Sequence, residues 1–160
     1  MSLTIAQMAL APVMELRARE LDLAFPGALR WTSGRRSLHE QARAMAVNHM
    51  QDPRAYLVRS YIHAAELLKA LDEASAADSV DEVTEVLYDV MEARPALIRS
   101  PHLWGHAVDL RPMEDATGQP TPIGAQVVAW IRACGDTEDF RTREGALRRW
   151  HWACVESKEV

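Results

Sequence analysis

Ser100-Pro101-His102-Leu103-Trp104-Gly105-His106-Ala107-Val108-Asp109-Leu110 changes character halfway along, from a proline-bearing loop to a strict alternation. Side chains two apart on a strand share a face, so Gly105, Ala107 and Asp109 lie on one side and His106, Val108 and Leu110 on the other. The small residues leave room beside the Asp109 carboxylate, as a bound ion requires. His102 precedes this strand by a turn. A loop that folds back brings its imidazole beside Asp109, which gives one nitrogen and one oxygen ligand for a metal.

The matching piece is Trp150-His151-Trp152, at the start of a strand running to Val155. It puts a single imidazole on one face and two indoles on the other, so the tryptophans pack and the histidine projects. Together His102, Asp109 and His151 supply two imidazoles and one carboxylate. They leave the fourth tetrahedral position open for water, which is the arrangement of a catalytic zinc site and not of a closed structural one. His39, His49, His63 and His106 have nothing nearby to complete a site and read as hydrogen-bonded or exposed histidines.

Outward from these strands the chain reads mostly as helices. Ile5, Met8, Ala9, Val13, Leu16 and Leu23 recur at helical spacing over 5–23, and Phe25-Pro26-Gly27 ends that pattern. Leu29 to Thr32 reads as a short strand closed by Ser33-Gly34. Ser37-Leu38-His39-Glu40 has the form of a capping box, which predicts a helix from about Leu38 to Met50. After Asp52-Pro53, the stripe of Leu57, Val58, Tyr61, Ile62, Ala65, Leu68 and Leu71 predicts one helix to about Ala74. A second capping box, Ser79-Val80-Asp81-Glu82, starts another helix with Val83, Leu87, Val90 and Met91 inward, stopped by Pro95. Thr121-Pro122 opens a last helix through Val127, Val128 and Ile131, and Gly135 suits its end. The expectation is an α+β chain with a small antiparallel sheet flanked by helices. It forms a single domain over 1–160, with a helical hairpin inserted at about 52–94.

Composition narrows the classes. A length of 160 residues, 48% of them hydrophobic and 26% charged, suits one soluble globular core. The net charge of -5 argues against nucleic acid, despite the pairs Arg35-Arg36 and Arg148-Arg149. No apolar run approaches the roughly 20 residues that span a bilayer. Residues 1–14 lack a basic leading region, so the expected place of synthesis is the cytoplasm, without a signal peptide. Cys134 and Cys154 are too few for a disulfide framework and read as free thiols.

Ser100-x-His102-x-x-Gly105-x-Ala107-x-Asp109, with Trp150-His151 downstream, resembles the zinc signature of the D-alanyl-D-alanine carboxypeptidases and L-alanyl-D-glutamate endopeptidases, a family that includes many phage endolysins. Thr32-Ser33-Gly34-Arg35-Arg36-Ser37, followed by Glu40-Gln41, is similar to that family's Ser-Gly-aromatic-Arg segment. The blocks occur in the family's order and cover about a third of the chain. The resemblance implies His102, Asp109 and His151 as zinc ligands. Arg36 matches the arginine that contacts substrate, where an always-charged guanidinium can stabilise an oxyanion as it develops. Ser100 either hydrogen-bonds substrate or orders its loop. The implied substrate is a peptidoglycan peptide, reached at the cell wall after release or from a virion-associated position.

Three features depart from the family pattern. The family's acid three residues before the last histidine, the general base, is replaced by Arg148, and a cation cannot take a proton. Glu144 is the nearest upstream acid and the candidate catalytic base, but on a helix its offset from His151 spans about 10 Å. At i and i+4, Glu144 and Arg148 also suit a surface ion pair. The interval from Arg36 to His102 is long, and its surplus is the 52–94 hairpin, which either narrows the cleft or docks a protein partner. Arg35 stands where an aromatic residue is usual. Two readings follow: an active peptidoglycan peptidase, or a zinc-binding pseudopeptidase serving as a structural or wall-binding component such as part of a phage tail.

Overall fold

The computed structural model describes residues 2–75, 79–144 and 148–156, with Glu144 described by its backbone alone. The class is α+β, with six α-helices and one four-stranded antiparallel sheet among the described residues. The chain groups into two compact units, Met1–Arg35 with Trp104–Val160, and Arg36–Leu103.

The first unit holds the sheet. Its strands are β1 (Trp31–Ser33), β2 (Ala107–Leu110), β3 (Thr137–Glu144) and β4 (Arg149–Cys154), in the order β1-β2-β4-β3. One face is dry. Trp31, Val108, Leu110, Trp150, Trp152 and Cys154 pack there with Met14, Ala18 and Leu21 of helix α1 (Pro12–Ala24) and Val127 and Ile131 of helix α6 (Pro122–Ala133). The alternation in β4 works as its sequence requires, with Trp150 and Trp152 fully buried in this core. Thr121 caps α6 by accepting from the Gly124 amide, with Pro122 in the first turn. Gly135 does not take a left-handed conformation, and α6 ends on an extended Cys134 instead.

Three expectations for this unit are corrected. The opening helix does not run from residue 5: Ala6–Met8 forms one 3-10 turn, Ala9 is left-handed at φ 50°, and α1 starts at Pro12. Its inward face is Met14, Ala18 and Leu21, at spacings of four and three, while Leu16 and Leu23 are 52% and 80% exposed. The strand β3 was not expected. Its sequence, TEDFRTRE, is polar on both faces except for Phe140, which meets Trp150 edge-on with centroids 6.0 Å apart, and an edge strand can afford such polarity. It pairs antiparallel with β4, the strand that carries His151.

The second unit is helical: α2 (Leu38–Gln51), α3 (Ala55–Ser60), α4 (Ala64–Glu73) and α5 (Val80–Ala93). Both arms of the Ser37/Glu40 capping box are formed, and Ser79 accepts from the Glu82 amide at the start of α5. The core joins Ala42, Met45 and Ala46 of α2 to Leu67, Leu68 and Leu71 of α4 and Val83, Leu87 and Met91 of α5. The helical unit begins at Arg36 and counts α2 as a member. The single helix expected after Pro53 is two, because Tyr61 turns extended and ends α3. The break shifts the inward phase to Ala64, Leu67, Leu68 and Leu71, and leaves Val58 and Ile62 62% and 97% exposed. Among the described residues no helix is long and apolar enough to cross a membrane.

Candidate metal centre

The centre is built on the face of the sheet opposite the tryptophan core. β2 and β4 are neighbours, and their register pairs Asp109 directly with His151 and Ala107 with Ala153. On β4, burial of Trp150 and Trp152 forces His151 to the other face, where it meets Asp109 on β2. His151 Nδ1 and Asp109 Oδ1 stand 3.1 Å apart, and the two residues are 8% and 5% exposed. The Thr32 hydroxyl donates to the Asp109 carbonyl at 3.2 Å, and Ser33 pairs with Asp109 in the β1–β2 ladder, so the strand carrying the carboxylate is held from both sides.

His102 lies in a 3-10 turn, Pro101–Trp104, and is 3% exposed. One ligand atom from each of His102, Asp109 and His151 lies within 4.8 Å of the others. This cluster could hold a metal ion, and its donors fit one: nitrogen and carboxylate ligands at zinc–ligand distances stand about 3.3 Å from one another at the corners of a tetrahedron. The Asp109–His151 separation of 3.1 Å is already close to that edge. Among the described residues no fourth histidine, cysteine, aspartate or glutamate joins the cluster.

Gly105 has a different role from the one expected. It adopts φ +77°, and an added Cβ would stand 2.8 Å from the Ala11 amide nitrogen. Ala11 donates to the Gly105 carbonyl at 3.0 Å. The glycine lets the chain pass close to the backbone at Ala9–Ala11 on its way into β2; it does not make room beside Asp109.

Arg36 and Ser100 belong to the helical unit and share a partner that composition did not single out. Gln41, buried in the first turns of α2, accepts at Oε1 from Arg36 Nη1 at 3.3 Å and from the Ser100 hydroxyl at 3.3 Å. The Arg36 amide donates to the His102 carbonyl at 2.9 Å, fixing the backbone on which that histidine sits. The Glu-Gln pair after the serine-glycine segment was the available signal for Gln41.

Glu144 ends β3 and its backbone pairs with Arg149 across the hairpin; its side chain lies outside the described residues. The offset from Glu144 to His151 is therefore a fold-back and not two helical turns. Arg148 is exposed, in a left-handed conformation at φ 51°, just before β4.

Two residues of β3 reach the same face. Arg141 is the ladder partner of His151, and Asp139 that of Ala153. Asp139 Oδ2 stands 3.9 Å from His151 Nε2 and 2.9 Å from Arg141 Nε. They were missed because the strand that carries them was missed. Cys134 and Cys154 are free, and burial pushes the Cys154 thiol up to about 12, so it stays protonated and unreactive.

Comparison of the chain with protein-family models, with curated proteins and with solved structures returns no match.

Proposed function

We propose that this chain is a zinc peptidase that hydrolyses peptide bonds in peptidoglycan stem peptides or cross-links, of the D-alanyl-D-alanine carboxypeptidase and L-alanyl-D-glutamate endopeptidase kind. The observation that carries the reading is the buried trio of His102, Asp109 and His151 with no fourth protein ligand beside it among the described residues. Structural zinc sites close with four protein ligands, whereas three leave the position that catalysis uses. Bound there, zinc would supply a Lewis acid that polarises a carbonyl and makes a water more acidic. Of the chain's own groups, Asp109 and His151 orient each other, and Arg36, tied to Gln41, is the cation assigned to the oxyanion that develops on the substrate. Ser100, also tied to Gln41, orders the loop that leads to His102. Zinc as the metal and the wall as the place of action, after release or on a virion, belong to this reading.

Arg148 favours a second reading. It occupies the sequence position of the expected acid, and a guanidinium has no basic lone pair to accept a proton. A pseudopeptidase that retains the metal as a structural or wall-binding component fits that substitution.

Digestion of purified peptidoglycan with the protein and zinc, read by mass spectrometry of the fragments, separates the two. New peptide termini that vanish with chelator and in His151→Ala establish the peptidase. Stoichiometric zinc with no released fragment establishes the second reading, and protein that takes up no zinc ends both.

A further inference from the structure

The imidazole of His151 has two nitrogens, and each faces a carboxylate. Nδ1 faces Asp109 on β2 at 3.1 Å, and Nε2 faces Asp139 on β3 at 3.9 Å. The second contact follows from the strand register. Pairing Arg141 with His151 and Asp139 with Ala153 puts both β3 side chains on the face of the sheet that carries His151. Arg141 Nε then holds the Asp139 carboxylate at 2.9 Å, beside the far edge of the ring.

We propose that Asp139 is a positioning residue for the metal ligand His151. It receives the Nε2–H of the ring and so fixes the tautomer that leaves the Nδ1 lone pair turned towards Asp109 and the ion. This rests on the metal-site reading above. A neutral imidazole carries one N–H, and a ligating ring donates it on the side away from the metal, where an accepting carboxylate both orients the ring and makes the ligating nitrogen more basic. The Asp139 separation is ion-pair distance and longer than a hydrogen bond. Such contacts are commonly loose before the ligand is bound and tighten around it. Asp109 is on the opposite nitrogen and serves as a ligand, so the two acids have different roles at one ring. Asp139 is 36% exposed at its side chain, against 7% for Asp109, which suits a residue at the margin of the centre and not within it.

The test is zinc affinity of the full chain, by competition with a chromophoric chelator, together with the visible absorption of the cobalt(II)-loaded protein. Asp139→Ala should bind zinc roughly 10–100-fold more weakly and alter the cobalt spectrum, because the ring is no longer held. Asp139→Asn, whose amide oxygen accepts the same hydrogen bond, should recover most of the affinity. Both variants should melt at the wild-type temperature without metal. Wild-type affinity and an unchanged spectrum in Asp139→Ala overturn the proposal. Equal loss in the alanine and asparagine variants overturns it too, since that marks a direct ligand. If the wild-type chain itself takes up neither zinc nor cobalt, the metal site falls and this role with it; if the wild type binds and Asp139→Ala matches it, the role of Asp139 falls alone.

Discussion

Asp109 and His151 are direct partners across the β2–β4 ladder, and their side chains meet at 3.1 Å between Oδ1 and Nδ1. An ion captured by this pair binds only the folded chain, because the unfolded chain does not bring residues 42 positions apart together. Free zinc at about 100 times its dissociation constant should therefore raise stability by about 2.7 kcal/mol, a melting shift of roughly 5–10 °C for a chain of this size. In Asp109→Ala and His151→Ala the shift should vanish. A calorimetric scan with and without zinc reads it directly, and a shift that survives in both variants would place the metal elsewhere.

Gly105→Ala should destabilise the protein by at least about 1–2 kcal/mol, the cost of a left-handed conformation for a residue with a Cβ. The clash at 2.8 Å with the Ala11 amide adds to that cost. Since Gly105 lies two residues before β2, the variant should also bind zinc more weakly. Urea unfolding and a zinc titration measure the two effects separately, and an unchanged midpoint would mean the backbone at 9–11 can retreat.

Trp152→Ala should cost about 3–5 kcal/mol, as for other large aromatics removed from a closed core. The indole is fully buried, packs edge-on against Trp130 at 6.0 Å and donates from Nε1 to the Thr137 hydroxyl at 3.0 Å. Chemical denaturation should show it. A loss under about 1 kcal/mol would contradict the packing described for this face of the sheet.

The pH dependence has a source in the helical unit. Burial, and then the nearby Arg54 charge, lower the pKa of His49, whose Nδ1 accepts from the Arg54 amide at 3.2 Å. The unfolded chain thus binds the proton more readily than the folded one. Above about pH 6.5 the group is neutral in both states and contributes no slope; as pH falls below that value the unfolded state charges first, and stability declines until the folded-state pKa is passed. His49→Gln should flatten this part of the profile. Melting temperatures of the two proteins across that acidic range decide it, and parallel curves would exclude His49 as the source.

Features with local signals were readable in the sequence. Ser37 with Glu40, and Thr121 with Pro122, mark helix starts through contacts within one turn, and both are present. Trp150-His151-Trp152 announced its own two faces because alternation has a period that residues cannot disguise. The failures have tertiary causes. In α1 apolar residues occur at several phases, so Leu16 and Leu23 were read as inward while Met14 and Leu21 were passed over, and only the neighbours decide which turn in. β3 borrows its partners from β4 and its single anchor, Phe140, from Trp150, and neither debt is visible in TEDFRTRE. Gly105 was read as part of the alternating strand but lies two residues before β2, and its close approach to residues 9–11 has no local signature.

The alternation in β4 ties two properties that proteins often keep apart. A strand whose inward positions are indoles and whose outward position is a ligand has no neutral misalignment: displaced by a single residue, it would drive an imidazole into the driest part of the molecule and swing tryptophan over Asp109. Metal uptake at His151 is thereby a gauge of correct strand alignment. Any selection that preserves the centre also proofreads the packing beneath it.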